Sequence, residues 1–183
     1  MSLKHSLLVL LSGQPSTGYE LSQKYKKAIG FFWQASHQQI YKQLKVLTEE
    51  GFLTFEEQRQ QGKPDTKRYQ ITGEGLDELK RWLSSEVKPA KTNDALLVML
   101  YAGTHVDRAV LVKEIQRHKA LHEKNLKKLE AIQDLYFSLG KDQQKEYRFP
   151  YLTLKRGLLA EKAWLEWATE VIDELSDPNH DLE

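Results

Sequence analysis

The chain has 183 residues, of which 29% are charged and 40% apolar, and its formal net charge at pH 7 is +1. This composition is typical of a folded globular protein and excludes a largely disordered one. Cysteine is absent, which excludes disulfides, thiolate zinc sites and thiol catalysis and fits a cytoplasmic protein. No apolar run approaches the roughly 20 residues that a membrane-spanning helix needs, so we expect no membrane partner.

The first thirty residues predict two short helices. Leucines at five positions between Leu3 and Ser12 give the first helix its apolar face, and the Gly13 to Pro15 segment ends it. Thr17-x-x-Glu20 is a capping box, in which each end of the motif satisfies a backbone N–H of the other. It predicts the start of a second helix, which Gly30 ends.

A third helix is predicted from Ser36 to Gly51. Ser36-x-x-Gln39 is a second capping box at its start. The glycine at its end favours a left-handed turn that stops the helix. The apolar positions recur at helical spacing and predict one buried face: Ile40, Leu44 and Leu47.

A hairpin and a fourth helix follow. The segments FLTFEE (52–57) and KRYQIT (67–72) alternate in polarity around a loop that contains Gly62 and Pro64. Thr72 then opens a helix with the predicted apolar face Leu76, Leu79, Leu83 and Val87. Three helices, a two-stranded hairpin and a closing helix predict a winged helix-turn-helix domain in residues 1–88.

Residues 89–183 show helical patterns alone. The polar segment 88–93 is a predicted linker, and Ala95–Tyr101 is apolar on all sides, which predicts a buried helix. We expect a long helix at 107–139, a polar break at 142–148, and a last helix from about Pro150 to Leu175. Their apolar stripes exceed what so few helices can bury, so a dimer is expected. The fold class is mainly α, with a C-terminal helical dimerisation region.

The outer face of the third helix is a candidate DNA-binding surface. On a helical wheel Gln38, Lys42 and Lys45 point away from the buried face, with Gln39 and Tyr41 on its flanks. Glutamine can bind adenine through two hydrogen bonds, and lysine can donate to guanine or phosphate. Ser36 and His37 lie at the helix start, where backbone N–H groups suit a phosphate. Taken alone, this pattern favours an ordinary solvated helix face, because glutamine and lysine are common there.

The hairpin loop favours DNA binding over that alternative. Arg59, Lys63, Lys67 and Arg68 cluster around its tip, where a wing would hold phosphates or enter a minor groove. Residues 1–90 carry 13 Lys and Arg and 10 Asp and Glu, so this half has an excess of positive charge. Residues 91–183 carry 14 Lys and Arg and 16 Asp and Glu, so that half has an excess of negative charge. Helix and wing together favour a DNA-binding protein. The alternative is a winged helix that binds only proteins.

The sequence resembles the PadR-like transcriptional regulators. The resemblance lies in SLKHSLLVLL, in Gly18–Leu21, in FFWQASHQQIYKQLKVLTEEGFL and in Lys67–Thr72 followed by Gly75; a weaker match is RGLLAEKAWLEW near the end. It implies a bacterial, homodimeric, winged-helix repressor that binds a palindromic operator. It also implies that Ser36 and Tyr41 approach phosphates and that the Lys63 and Lys67 region is the wing. Wings of this family often carry arginine where this chain has Gln60, Gln61 and Lys63.

The C-terminal half offers two further candidate sites. Tyr101, Tyr136, Trp164 and Trp167 are candidates for a pocket that takes a small aromatic effector, as the resemblance suggests, although aromatic residues at helical spacing more often form a core or interface. His118 and His122 lie one helical turn apart, but two ligands do not complete a metal site, and a partly buried helix contact is the favoured interpretation. No P-loop, Rossmann glycine motif, GxSxG or HExxH is present. We therefore expect no enzyme activity and no cofactor.

Overall fold

The computed structural model describes residues 3–30, 32–58, 66–89, 91 and 93–177. The chain divides into two compact units, residues 1–89 and 90–183. Among the described residues, no helix has the length and apolar character needed to cross a membrane.

The first unit is a winged helix, which confirms the predicted fold. Three helices precede a hairpin, and a fourth helix follows it. In chain order its described elements are α1 Leu3–Gly13, β1 Ser16–Thr17, α2 Gly18–Ala28, α3 His37–Glu49, β2 Leu53–Gln58, β3 Thr66–Ile71 and α4 Gly73–Leu83.

Local sequence signals place the starts of α2 and α3. At α2, the Thr17 hydroxyl accepts the backbone N–H of Glu20 at 3.2 Å, and the Glu20 carboxylate accepts the backbone N–H of Thr17 at 2.8 Å. Both capping boxes predicted from the sequence are therefore present. The predicted stop at Gly51 is confirmed as well, because its φ of +76° is a left-handed conformation that favours glycine.

The three strands form an antiparallel sheet in the order β1–β3–β2. The hairpin pairs Leu53 with Ile71 at its base and Gln58 with Thr66 at its outer described end. The third strand, β1, was not predicted. It comprises only Ser16 and Thr17, which is too short to show an alternating pattern.

One core holds this unit together. Its fully buried members come from α1, α2, α3, the sheet and α4, and they include Leu7, Leu8, Leu11, Leu21, Tyr25, Ile40, Leu44, Leu47 and Leu53. The predicted buried face of α3 is confirmed. Because all the apolar residues of that face point inwards, the polar positions of α3 are left outside.

The predicted apolar face of α4 was partly wrong. Leu79 is buried, but Leu76 and Leu83 are exposed, and the helix ends before Val87. The buried positions are instead Gly75 and Leu79. A Cβ on Gly75 would overlap the backbone carbonyl of Phe52. Glycine at this position therefore lets the backbone of α4 approach the backbone at Phe52, and this close contact sets the rotation of α4 about its axis.

The second unit is helical throughout its described residues. Its helices are α5 Ala95–Tyr101, α6 Arg108–Ser138, α7 Lys141–Glu146 and α8 Arg148–Ser176, with a short 3-10 turn at Gly103–His105. The polar break predicted at 142–148 was wrong, because most of it forms α7. Pro150 lies in the first turn of α8, where its missing N–H costs no intrahelical bond.

The antiparallel pair α6 and α8 buries two separate clusters. Ile115 and Ala168 meet Leu96 of α5 in one, and Leu129 meets Leu154 and Leu158 in the other. The prediction that α5 is buried on all sides was wrong, since only Leu96 is buried in the single chain. The physical reason is that α5 has neighbours on one side alone. Leu100 is half-buried against the same cluster as Leu96, and the remaining large apolar residues of α5 are exposed: Leu97, Val98, Met99 and Tyr101.

Candidate nucleic-acid interface

The outer face of α3 is exposed and polar in the folded unit. Its solvent-facing positions are the residues selected from the helical wheel: Gln38, Gln39, Tyr41, Lys42 and Lys45. Ser36 and His37 at the start of the helix are exposed as well. The fold therefore leaves this helix open to a partner along the whole face opposite Ile40, Leu44 and Leu47.

The two glutamines differ in what they can still bind. Gln39 Oε1 accepts the backbone N–H of Ser36 at 2.8 Å, and the Ser36 hydroxyl accepts the backbone N–H of Gln39 at 3.2 Å. Two hydrogen bonds to adenine need both the oxygen and the nitrogen of a glutamine amide. Gln39 cannot offer both while it caps the helix, which leaves Gln38 as the better base-contacting candidate.

The two lysines also differ. Lys45 Nζ lies 3.7 Å from Glu49 Oε1, one turn further along α3. Such an exposed pair is weak and readily exchanged for a phosphate or base. Lys42 is exposed, and the ion pairs of the described residues do not include it. Of the two, Lys42 therefore offers its charge to a partner without first releasing a carboxylate.

Tyr41 is held in place by α2. A Cβ on Gly18 would lie 2.7 Å from its ring, so the tyrosine ring rests directly on the first residue of α2. The His37 ring lies 4.5 Å from that of Tyr41. Burial raises the pKa of Tyr69 on β3, and the nearby Tyr41 phenol raises it further. Tyr41 thus sits where α2, α3 and the sheet meet, a position the sequence did not reveal.

The wing is only partly described. The strands β2 and β3 are present, but the predicted phosphate contacts Arg59 and Lys63 lie outside the described residues. Lys67 is on β3, with its Nζ 4.1 Å from the centroid of the Phe55 ring and 4.0 Å from Glu57 Oε1. Its stem thus packs on the sheet while its charge stays near the solvent, as long basic side chains commonly do.

Arg68 does not belong with the wing cations, contrary to the sequence-based grouping. Its guanidinium donates to the backbone carbonyl of Pro15 at 3.0 Å and lies 3.6 Å from the Glu20 carboxylate. The backbone N–H of Thr17 lowers the pKa of Glu20, and the positive charge of Arg68 contributes in the same direction. Because successive side chains alternate across a strand, Arg68 faces away from Lys67 and ties β3 to the start of α2.

The two histidines of α6 are engaged within the second unit. His122 hydrogen bonds Glu161 of α8 and stacks on Trp164 with 3.7 Å between ring centroids. His118 lies 3.3 Å from Glu114 on its own helix. Among the described residues, no group of three metal-ligating side chains converges. His122 is thus part of the contact between α6 and α8.

The four aromatic effector candidates are not brought together within one chain. Trp164 and Trp167 contact each other at 5.5 Å between centroids. Tyr136 instead stacks on Tyr151 at 4.2 Å, in the second of the two clusters, and Tyr101 is 95% exposed at the end of α5. A single cage formed by all four is therefore not present in one copy.

Comparison with known proteins identifies the family. Residues 7–81 match the model of the PadR-like family of transcriptional regulators, and residues 92–176 match that of the C-terminal part of virulence activator alpha. A probable transcriptional regulator of Mycobacterium tuberculosis is 31% identical over 97% of this chain and 99% of its own length. The chain belongs to the PadR-like family of transcriptional regulators. The negative transcriptional regulator PadR of Bacillus subtilis is also 31% identical, over 93% of this chain and 95% of its own.

Solved PadR-like structures share the architecture of both halves. B. subtilis PadR in complex with operator DNA has a TM-score of 0.81 at 28% identity, over 95% of this chain and 99% of that one. The same protein in complex with p-coumaric acid has a TM-score of 0.77 at 27% identity, over 96% of this chain and 99% of that one. The Vibrio cholerae virulence activator AphA has a TM-score of 0.76 at 30% identity, over 95% of this chain and 98% of that one. The chain is therefore a transcriptional regulator of the winged-helix type and not an enzyme.

Proposed function

We propose that this PadR-like regulator is a cytoplasmic, homodimeric repressor of a palindromic operator. The observation that carries the proposal is the exposed polar face of α3 beside a hairpin wing. Gln38, Lys42 and Lys45 would contact bases, with the free amide nitrogen of Gln39 beside them. The phosphate contacts would come from the ends and flank of α3 and from the wing: Ser36, His37, Tyr41, Arg59, Lys63 and Lys67.

The second unit supports the dimer. Large apolar side chains stay exposed along α6 and α8 of the single chain, among them Leu121, Ile132, Leu135, Leu152 and Leu159. Many exposed apolar residues on one pair of helices are typical of an interface between subunits. In a two-fold dimer the two α3 helices would contact half-sites one DNA turn apart, or a multiple of that, roughly 34 Å per turn.

Selection of bound sites from random duplex DNA tests the function. The expected product is a palindrome with half-site spacing close to a whole number of turns. A mobility-shift assay with the DNA upstream of the protein's own gene provides the first probe. Absence of binding to any duplex would favour the alternative, a winged helix that binds proteins alone.

We further propose that a small aromatic compound relieves repression. The support is the structure of B. subtilis PadR with p-coumaric acid, together with the aromatic residues Tyr136, Trp164 and Trp167 in the second unit and Tyr101 at the end of α5. Since these residues lie apart in one chain, a pocket would involve either the Trp164–Trp167 pair or a second copy. Titration of p-coumaric acid into the protein–DNA complex should release the DNA, and quenching of tryptophan fluorescence should report binding near Trp164.

A further inference from the structure

A polar groove lies between the later part of α2 and the start of α3. Its volume is about 480 Å³, and its polar lining comes from Ser22, Gln23, Lys26, Gln34 and His37. None of its nine described lining residues is acidic. Hydrogen-bond donors without a nearby carboxylate make the groove suited to an anion. The sequence had singled out only His37 of this set.

Ser22 supplies a buried donor to this groove. Its Oγ is shielded from solvent and has no hydrogen-bond partner among the described residues, the only buried side-chain oxygen or nitrogen there in that condition. Serine within a helix normally bonds to a carbonyl one turn earlier, and a buried hydroxyl without a partner destabilises the folded state. Because this Oγ is shielded in the free protein, the Ser22 side chain must rotate about its Cα–Cβ bond to donate to a ligand in the groove.

Lys26 supplies the charge. It lies four residues after Ser22, so the two side chains share one face of α2. Some lysines of the first unit lie within 4.0 Å of a carboxylate, as Lys4, Lys67 and Lys80 do, whereas others, such as Lys42, do not. The ion pairs of the described residues do not include Lys26, which is exposed. The groove thus has an uncompensated positive charge beside a free hydroxyl.

The groove adjoins the face of α3 that we propose to contact bases. His37 lines it, and Gln38 is the next residue along the helix. We propose that the groove binds one backbone phosphate of the bound duplex, with the Ser22 hydroxyl and the Lys26 ammonium as donors. This assignment rests on the proposed function and adds two residues of α2 to the interface.

The smaller groove on the sheet does not fit an anion in the same way. Its volume is about 100 Å³, and Glu56 and Arg68 line it. Arg68 already donates to the Pro15 carbonyl and pairs with Glu20. A phosphate there would have to displace both interactions and approach a carboxylate.

The first experiment compares Lys26→Gln with Lys27→Gln in the full-length protein. Lys27 is the adjacent exposed lysine of α2 and does not line the groove, so it is the matched control. The probe is a fluorescent duplex selected from random DNA by the parent protein, titrated at several salt concentrations. K26Q should weaken binding and flatten the plot of log affinity against log salt by about 0.9 per bound chain, because one phosphate contact is lost. K27Q should leave the slope unchanged.

The second experiment uses Ser22→Ala, which separates binding from folding. It should weaken DNA binding by at least about tenfold, the lower end of the usual range for a hydrogen bond to a charged group. The melting temperature of the free protein should stay the same or rise, because the variant removes a buried hydroxyl without a partner. A fall in melting temperature with no specific loss of affinity would show that Ser22 has only a structural role.

Phosphate ethylation interference completes the test. The parent protein should be blocked by ethylation at a phosphate flanking the half-site, and K26Q should lose sensitivity there. Equal slopes for K26Q and K27Q, or an unchanged ethylation pattern, would overturn the groove assignment while leaving the repressor proposal intact. Failure of the parent protein to bind any duplex would overturn the repressor proposal itself.

Discussion

The two units of this regulator expose opposite kinds of surface. In the first unit the apolar face of α3 is fully buried, and its outer side presents glutamines and lysines. In the second unit α6 and α8 bury two small clusters and leave leucines such as Leu135 and Leu159 more than half exposed. The core beneath α3 is complete, and the outer side of this helix suits a polar partner, although Leu83 of α4 stays exposed. The second has not, and its exposed side chains suit another apolar surface.

The largest expected effect is on the closed core of the first unit. Leu44 is fully buried, so Leu44→Ala should lower the free energy of unfolding by about 2–5 kcal/mol. Urea unfolding followed by circular dichroism measures this loss, which should not depend on protein concentration. A cost below about 1 kcal/mol would mean that this core is looser than its burial indicates.

The matching change in the second unit should act on self-association. Leu159 is 60% exposed on α8, and Leu159→Lys should weaken dimerisation by roughly 1.5–3 kcal/mol, the range for burial of one leucine. Analytical ultracentrifugation measures the dissociation constant. Gln116→Lys adds the same charge at an exposed position of α6 and is the control. If both variants dimerise like the parent, Leu159 lies outside the interface.

A methyl group at Gly18 should displace Tyr41. Because the added carbon would lie 2.7 Å from the tyrosine ring, Gly18→Ala should cost about 1–3 kcal/mol of stability through overpacking. It should also weaken DNA binding, since Tyr41 would no longer hold its place beside His37. Gly13→Ala is the control, because a Cβ there meets no atom within 4 Å. If the Gly18 variant binds DNA with the affinity of the parent protein, Tyr41 is not part of the DNA interface.

The two glutamines of α3 should give different phenotypes. Gln38→Ala should relax base preference at one operator position by roughly 1–3 kcal/mol and leave stability unchanged. Gln39→Ala removes one half of a capping box, so it should lower stability by about 0.5–2 kcal/mol. Binding to a panel of single-base operator variants, with melting curves, measures both. The assignment fails if Gln38→Ala weakens all sequences equally.

The smallest expected effect concerns acid stability. His5 is the main cause of the lowered pKa of Glu78, and Lys4 and Arg81 add to it. A lowered pKa in the folded state stabilises the protein above the ordinary carboxyl range near 4.5, and this contribution is lost as the pH falls through the folded pKa. Glu78→Gln should therefore destabilise by less than about 1 kcal/mol at pH 7, and its difference from the parent should shrink as the pH falls below 4.5. If the difference in stability between the variant and the parent persists in acid, its cause is packing and not the charge of Glu78.

Local signals account for what the sequence predicted well. The capping boxes at Thr17 and Ser36 and the left-handed Gly51 are complete within a few residues, so the starts of α2 and α3 and the end of α3 could be placed directly. The exposed face of α3 followed from the 3.6-residue period, because its buried face was unambiguous.

The errors concern contacts between distant segments. The rotation of α4 depends on Gly75 meeting the Phe52 backbone, and the orientation of Arg68 depends on the Pro15 carbonyl. Neither partner is near in sequence. The Ser22–Lys26 groove was not predicted either, because its lining residues come from both α2 and the start of α3, which are separate segments of the sequence. An i, i+4 Ser–Lys pair on α2 was its only local sign.

The fixed ends of α3 restrict how this protein could evolve new operator preferences. Ser36 and Gln39 are committed to each other at one end, and at the other Gly51 holds a backbone conformation that other residues adopt only under strain. On the proposed interface, the positions of α3 expected to alter target choice without disturbing the helix are therefore 38, 42 and 45. A library randomised at those three codons is the smallest one expected to yield regulators with new DNA targets.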